Sequence, residues 1–373
     1  MEVTSLLNDD RRIAMFLPDL DGNGAVRVAV NLLKGLSARN IPIDLVLAAV
    51  EGPYLEQIPK QVRLVNLEAG RVVKAILPLS NYLRHEKPSV LVSHMNHANV
   101  AAVMAKKLAR TQTRLVLVEH DTLSVTKTRL LRGHLIPPLI KWFYPLSDAI
   151  VAVSEGAARD LKIKIGIADE GKVSVIYNPV VDEELVEKAK APLDHPWFQK
   201  NSPPVFLAVG RLTEQKDFFT LVKAFALLRK QRTARLIILG EGEDRSELEA
   251  EISRLGISED VSLPGFVENP YAYMSRASAF VLSSRWEALP TVLIEAMACG
   301  CPVIATDCPC GPAEILVAGV YGSLVAVGDV TSLSIAMLRV LETAANCEVL
   351  VHRAMDFSIE RAVPEYLNLL GYV

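Results

Sequence analysis

Short runs of apolar residues alternate with longer stretches in which apolar positions recur every three to four residues, and this rhythm repeats along most of the chain. In the first half RIAMFLP, IDLVLAAV, SVLVSHM, RLVLVEH and DAIVAVS read as strands, while AVRVAVNLLKGLSARN and ANVAAVMAKKLART read as helices. The strands are apolar at nearly every position, as a parallel sheet covered by helices on both faces requires. From position 176 the pattern breaks into IYNPVVDEELVEKAKAPLDHPWFQKNSPP, whose proline and charge suit a connection between domains. The alternation restarts with VFLAVGRL, DFFTLVKAFALLRKQ, RLIILGEGE, DRSELEAEISRLG, VSLPGF, NPYAYMSRA, AFVLSS, TVLIEAMACG and CPVIATD. The expected class is α/β: two doubly wound, Rossmann-like domains over residues 1–180 and 205–355, joined by a linker at 181–204 and facing each other across a cleft. Residues 356–373 predict a C-terminal helix; its packing partner is open, with the N-terminal domain as the candidate.

A length of 373 residues, half of them apolar, supports two large cores and argues against disorder. The formal charge of −3 gives no global basis for nucleic-acid binding. The opening MEVTSLLNDDRRIAMFLPDL lacks the basic and apolar regions of a secretory signal, and no apolar run is long enough to span a bilayer. A cytoplasmic protein is expected. Cys299, Cys301, Cys308 and Cys310 form two C-x-C pairs that invite a zinc reading, but C-x2-C is the commoner spacing and Cys301 opens a strand-like run. Small buried residues are the better reading, and no metal is expected.

Several stretches carry chemistry. Gly22 and Gly24, flanking Asn23, sit between a strand and a helix, where backbone amides can face an anion or a sugar. They equally suit a plain tight turn. In VGRLTEQKDF, Arg211 and Lys216 occupy the loop after a strand, from which a guanidinium and an ammonium can converge on a diphosphate, unless they are simply solvated cations. In SSRWEALPTVLIEAMACG, Glu287 precedes a helix that is apolar on every side, and Glu295 is the charge inside it. A buried carboxylate needs a partner. Vicinal ribose hydroxyls on one side, and an internal pair with Arg285 or a backbone amide on the other, are equally open as the partner of Glu295. His120, just past a strand and between two acids, suits a hydrogen-bonder or proton handler, or a structural role. The stretch 127–144 brings Lys127, Arg129, Arg132 and Lys141 together with Trp142, Phe143 and Tyr144, which fits an anionic membrane surface or a solvated helix pair.

Taken together, these residues resemble the retaining glycosyltransferases of the GT-B fold, glycosyltransferase family 4, the glycogen-synthase-like group. SSRWEALPTVLIEAMACGCPVIATDCPCGPAEIL matches the family's signature of two glutamates separated by seven residues and the strand that follows it. VGRLTEQKDF, LPGFVENPYAYMSRA, VAVSEGAARDL and VIYNPV match further blocks, so the resemblance covers nearly the whole chain. It implies a nucleotide-sugar donor held by the C-terminal domain and a glycan or lipid-linked acceptor approached from the N-terminal domain. By the same resemblance Arg211 and Lys216 match the diphosphate ligands, and Glu295 matches the ribose-binding acid. Glu287 matches the acid that holds the donor sugar, with Leu289, Pro290 and Thr291 in the amide-presenting turn. Gly265 and Phe266 match the loop near the base, and His120 resembles the histidine that contacts the transferred sugar. Gly22, Asn23 and Gly24 match the acceptor or sugar loop.

The implied activity is transfer of a hexosyl or N-acetylhexosaminyl group from a UDP-sugar with retention, without covalent nucleophile or metal. Two departures stand out. GNGAVR replaces the usual Gly-Gly-Gly-Ala-Glu-Arg, and Ala288 stands where a glycine usually follows the first glutamate. The alternatives are an epimerase of the same fold, a non-catalytic nucleotide-sugar or glycan-binding protein, and an NAD-dependent oxidoreductase, which would leave the C-terminal blocks unused.

Overall fold

The computed structural model describes residues 11–124, 136–166, 171–343 and 346–372. They fall into two units, Met1–Pro179 with Ile359–Val373, and Val180–Ser358. The described residues of the first unit form strands β1 (Ile13–Leu17), β2 (Ile43–Leu47), β3 (Arg63–Asn66), β4 (Val90–His94), β5 (Arg114–Glu119), β6 (Ala149–Ala152) and β7 (Val173–Val175). Helices α1 (Gly24–Ser37), α2 (Val72–Glu86), α3 (Asn96–Ala109), α4 (Ile136–Phe143) and α5 (Glu155–Ile165) belong with them. The sheet is parallel, in the order β3-β2-β1-β4-β5-β6-β7. Every residue of β1, β2, β4 and β6 is buried, which is why those strands read as unbroken apolar runs. The edge strand β3 is largely exposed and mixed in character, and the hydrophobic pattern did not announce it. Nor did it announce α2, which carries Pro78 in its interior.

The second unit holds α6 (Glu183–Lys190), β8 (Val205–Val209), α7 (Phe218–Arg229), β9 (Arg235–Leu239), α8 (Arg245–Arg254), β10 (Val261–Gly265) and α9 (Tyr271–Met274). It continues with β11 (Ala279–Leu282), α10 (Thr291–Ala298), β12 (Val303–Thr306), α11 (Pro312–Ile315), β13 (Ser323–Val325), α12 (Val330–Glu342) and α13 (Cys347–Ala354). Its sheet is also parallel, in the order β10-β9-β8-β11-β12-β13. The stretch 181–204, read as a linker, contains α6 and belongs to this unit, where α6 packs on α9.

The chain then returns to the first unit as α14 (Ile359–Leu370), which packs on α1. The approach is close: a Cβ on Gly35 would lie 2.4 Å from Ile359 Cγ2 and 2.5 Å from Val363 Cγ2. In each sheet the strand order reverses beside the first strand, between β1 and β4 and between β8 and β11. The carboxyl ends of those strands form the crevice where open α/β sheets take ligands.

Candidate active site

In the second unit two loops leave the switch point, one after β8 and one after β11. Side chains tie them into one scaffold. Ser283 Oγ donates to the Lys216 carbonyl at 2.7 Å, Gln215 Nε2 to the Trp286 carbonyl at 3.0 Å, and the Arg285 amide to the Gln215 carbonyl at 2.8 Å. At the end of β12, Thr306 Oγ1 donates to the Ser284 carbonyl at 2.5 Å. Asp217, the residue before α7, is held at φ 47°, a left-handed conformation that is costly for a residue with a Cβ. Its carboxylate compensates by accepting from Thr220 Oγ1 at 2.8 Å and pairing with Arg285 Nε at 3.1 Å. Arg285 also approaches Glu214 at 3.6 Å. The guanidinium that the sequence offered as an internal partner for Glu295 is therefore committed to Asp217 and Glu214.

At the centre of this scaffold Lys216 Nζ lies 2.6 Å from Glu287 Oε1, and Ser284 Oγ donates to the same oxygen at 2.7 Å. The lysine side chain is 16% exposed and the glutamate 8%. The lysine stem crosses Gly210, where a Cβ would meet Lys216 Cε at 3.2 Å. Cys308 is close by: burial, and secondarily the Glu287 charge, push its thiol up to about 12. Arg211, one residue past Gly210, is exposed and makes no hydrogen bond or ion pair with any described residue. A clamped ammonium thus sits beside a free guanidinium at the carboxyl edge of the sheet.

The turn into α10 completes this edge. Pro290 caps the helix with φ −71° and ψ 100°, and Leu289 and Ala288 are buried. Ala288 is not among the residues with positive φ, so the turn needs no glycine there. Instead the glycine is on the facing segment: Gly311 has φ +88°, and a Cβ on it would lie 2.6 Å from Pro290 Cδ and 3.0 Å from the Ala288 carbonyl. Glu295, one turn inside α10, is 1% exposed and lies near enough to Cys299 that its charge adds to burial in pushing that thiol up to about 12. Gly265 ends β10 at φ +87° against Glu241, which Arg245 grips with two hydrogen bonds of 3.0 Å. Phe266 beyond it is 78% exposed.

The first unit has its own polar edge at β1, β4 and β5. Asn23 caps α1, its side chain accepting from the Val26 amide at 3.0 Å. This is a sufficient reason for asparagine at the position where a glycine was expected. At the ends of β4 and β5, His94 Nδ1 and His120 Nε2 are 3.0 Å apart with the rings stacked. Burial lowers His120 to about 4, and burial followed by the His120 charge lowers His94 well below the usual histidine value. Glu119 is buried, accepts from Tyr144 Oη at 2.5 Å and from the Asp121 amide at 2.9 Å, and is raised by burial to about 8.

The family profile described as Glycosyl transferases group 1 matches residues 193–356, and that described as Glycosyltransferase Family 4 matches residues 22–184. Over 344 residues the chain is 30% identical to an N-acetylgalactosamine-N,N'-diacetylbacillosaminyl-diphospho-undecaprenol 4-alpha-N-acetylgalactosaminyltransferase of Campylobacter jejuni, covering 89% of this chain and 90% of that one. The chain is a family 4 glycosyltransferase of GT-B fold. It is also 30% identical over 254 residues to an uncharacterized glycosyltransferase of Methanocaldococcus jannaschii, a match spanning 66% of this chain and 62% of that protein. Among solved structures it is similar to HepE of Anabaena in complex with UDP-glucose, with a TM-score of 0.78, 20% identity, and coverage of 97% of this chain and 100% of that one.

In this glycosyltransferase the predicted residues separate by unit. Arg211, Lys216, Gly265, Phe266, Glu287, Leu289, Pro290, Thr291 and Glu295 belong to the second, where Lys216 Nζ bonds Glu287 Oε1. His120, Gly22, Asn23 and Gly24 belong to the first. Ser284, Gly210, Gly311 and His94 were not singled out in the sequence. Ser284 had a signal in the Ser-Ser before Arg285; the other three depend on contacts between distant segments.

Of the basic and aromatic stretch, Lys127, Arg129 and Arg132 lie outside the described residues. Trp142 is 77% exposed on α4, whereas Tyr144 is a core residue bonded to Glu119 and Asn99 and cannot meet a surface ligand. Cys301, Cys308 and Cys310 are buried, and no disulfide joins any of the five cysteines. No helix among the described residues is long and apolar enough to cross a membrane.

Proposed function

We propose that this glycosyltransferase transfers a hexosyl or N-acetylhexosaminyl group from a UDP-sugar, with retention of configuration, to a lipid-linked or glycan acceptor. The observation that carries the reading is the free Arg211 beside the Lys216–Glu287 pair at the carboxyl edge of β8 and β11. A diphosphate offers both cations better partners than water does, with the guanidinium taking an oxygen pair and the ammonium a single charge. Once Lys216 leans toward phosphate, Glu287 is available to the hydroxyls of the donor sugar. Glu295 accepts from the ribose, the Leu289-Pro290-Thr291 turn offers amides, and Gly265 with Phe266 borders the base. His120 and the Gly22-Asn23-Gly24 loop serve the sugar and acceptor side. The two cations do what a divalent ion would do, so no metal is needed.

The C1–O bond to the diphosphate breaks as the acceptor oxygen bonds C1 from the same face, and the acceptor proton passes to the departing phosphate. Arg211 and Lys216 stabilise the charge that develops on the leaving group. The Campylobacter relative is named for an acceptor on diphospho-undecaprenol and the Anabaena structure holds UDP-glucose; both support the substrate classes proposed. Exposed Trp142 supports contact with the cytoplasmic face of a membrane.

Calorimetry with UDP and GDP, followed by turnover of a panel of UDP- and GDP-sugars on lipid-linked acceptors, tests the reading. UDP is expected to bind, and NMR of the product to show the donor's anomeric configuration, with EDTA leaving the rate unchanged. Inverted product would remove the retaining mechanism, and failure to bind or turn over any of these donors would remove the whole reading. Flotation with anionic vesicles is expected to carry the protein, and Trp142→Ala to reduce it.

A further inference from the structure

We propose that His94 is a positioning residue that holds His120 as the neutral tautomer protonated on Nδ1, so that His120 offers a hydrogen-bond donor and not a base. The two rings face each other through His94 Nδ1 and His120 Nε2 at 3.0 Å, a separation that requires one proton between the two nitrogens. Two arrangements satisfy it. If His120 Nε2 carries the proton, His94 Nδ1 accepts, and the neutral His94 must carry its own proton on Nε2. That atom is buried and has no hydrogen-bond partner among the described residues.

If His94 Nδ1 carries the proton instead, only a lone pair is left on the buried Nε2. A buried orphan N–H is rarer and costlier than an orphan acceptor, so the second arrangement holds. His120 Nε2 then accepts and its proton resides on Nδ1, which bonds no described residue, and the residue, unlike His94, keeps some exposure to solvent. A third arrangement, with both rings cationic, would set two N–H groups against each other. The low values of both rings keep the pair neutral at pH 7.

Among the described residues the neighbouring carboxylates have partners of their own. Glu119 is occupied by Tyr144 and the Asp121 amide, and Asp121 accepts from Asn96 Nδ2 at 3.0 Å. The functional consequence rests on the reading that His120 meets the transferred sugar: a neutral donor can bond a sugar hydroxyl oxygen without removing its proton. The tautomer itself does not depend on that reading.

The test is a long-range ¹H–¹⁵N correlation spectrum of the full chain labelled with ¹⁵N-histidine at pH 7, with the His120 signals assigned by their loss in His120→Asn. Expected is protonated Nδ1 and unprotonated Nε2 on His120, against the Nε2–H form that free histidine favours. In His94→Phe, His120 is expected to revert to Nε2–H. His94→Gln, whose amide can still donate, is expected to keep the Nδ1–H pattern; this variant and the wild-type spectrum decide the matter if the phenylalanine variant does not fold. A wild-type His120 that is cationic or protonated on Nε2 overturns the proposal. A confirmed tautomer, combined with transfer that is unchanged in His94→Phe, would leave the inference standing and remove the sugar-contact reading of His120.

Discussion

Lys216 and Glu287 form a nearly buried ion pair, and such a pair is fragile when one partner is removed, because the survivor stays buried and charged. Lys216→Ala should therefore weaken UDP binding by roughly 10- to 100-fold, the size expected for a lost hydrogen bond to a charged group. Glu287→Gln keeps the shape and leaves the ammonium free for phosphate, so kcat should fall while UDP affinity changes little. Calorimetry and steady-state kinetics separate the two, and equal losses of affinity in both variants would contradict the division of roles. A second residue-level prediction concerns pH. Glu119 is raised from 4.5 to about 8, so between those values the folded chain holds a proton the unfolded chain releases, and stability is lost as pH rises. His94, His97 and His120 are lowered from 6.5, chiefly by burial, so they remove stability as pH falls below that value. Each group tilts stability by about 1.4 kcal/mol per pH unit. Three histidines outweigh one glutamate below 6.5, and above it the glutamate acts without them. Thermal stability of the first unit should peak near pH 6.5 and decline by roughly 2 kcal/mol toward pH 8. Glu119→Gln should flatten that decline; a wild-type stability that climbs through the window would refute the assignment.

The elements owe their geometry to close backbone approaches that only glycine permits. Gly240 follows β9 at φ +134°, and a Cβ there would lie 2.0 Å from the carbonyl oxygen of Gly210 after β8. Gly240→Ala should therefore force the ends of β8 and β9 apart and carry the Arg211 loop with them, lowering both the melting temperature and UDP affinity. Gly70→Ala is the control, since Gly70 has φ +62° but nothing within 4 Å of its Cβ position. It should cost only the left-handed backbone term, about 1 kcal/mol, and leave affinity intact. If both variants bind UDP equally, the strand contact does not position the loop. This dependence on distant contacts also explains how much was legible. The central strands announced themselves because both faces are buried, and the loops after β8 and β11 because charged residues stand out between apolar runs. Strand β3 is hidden by its exposed, mixed character, β7 and β13 by a length of three residues each, and α2 by the proline inside it. Pairings such as Lys216 across Gly210, Gly311 against Pro290 and His94 against His120 join segments far apart in sequence, so no local pattern encodes them.

At the scale of the whole molecule the chain enters the second unit at Val180 and leaves it at Ser358, so the first unit is completed by α14, which follows the whole second unit in sequence. Near the crossing, the Val180 amide bonds the Phe357 carbonyl at 2.8 Å, which brings the outgoing and returning segments side by side within the second unit. From there α14 turns Ile359, Ala362, Val363, Tyr366, Leu367 and Leu370 into a buried face. Gly35 on α1 is what admits Ile359 and Val363, and Tyr372 beyond the helix bonds Ser89 at 2.8 Å. A chain that ends at Ser358 should therefore keep the second unit, with its nucleotide edge, and lose stability in the first. Gly35→Leu should do the same without truncation, because its side chain needs the space those two residues fill, and overpacking costs about 1–3 kcal/mol. Calorimetric unfolding should then show the transition of the first unit moving to lower temperature while UDP still shifts that of the second upward. Loss of UDP binding in Gly35→Leu, or an unchanged melt in the truncated chain, would mean that the helix does not serve the first unit in this way.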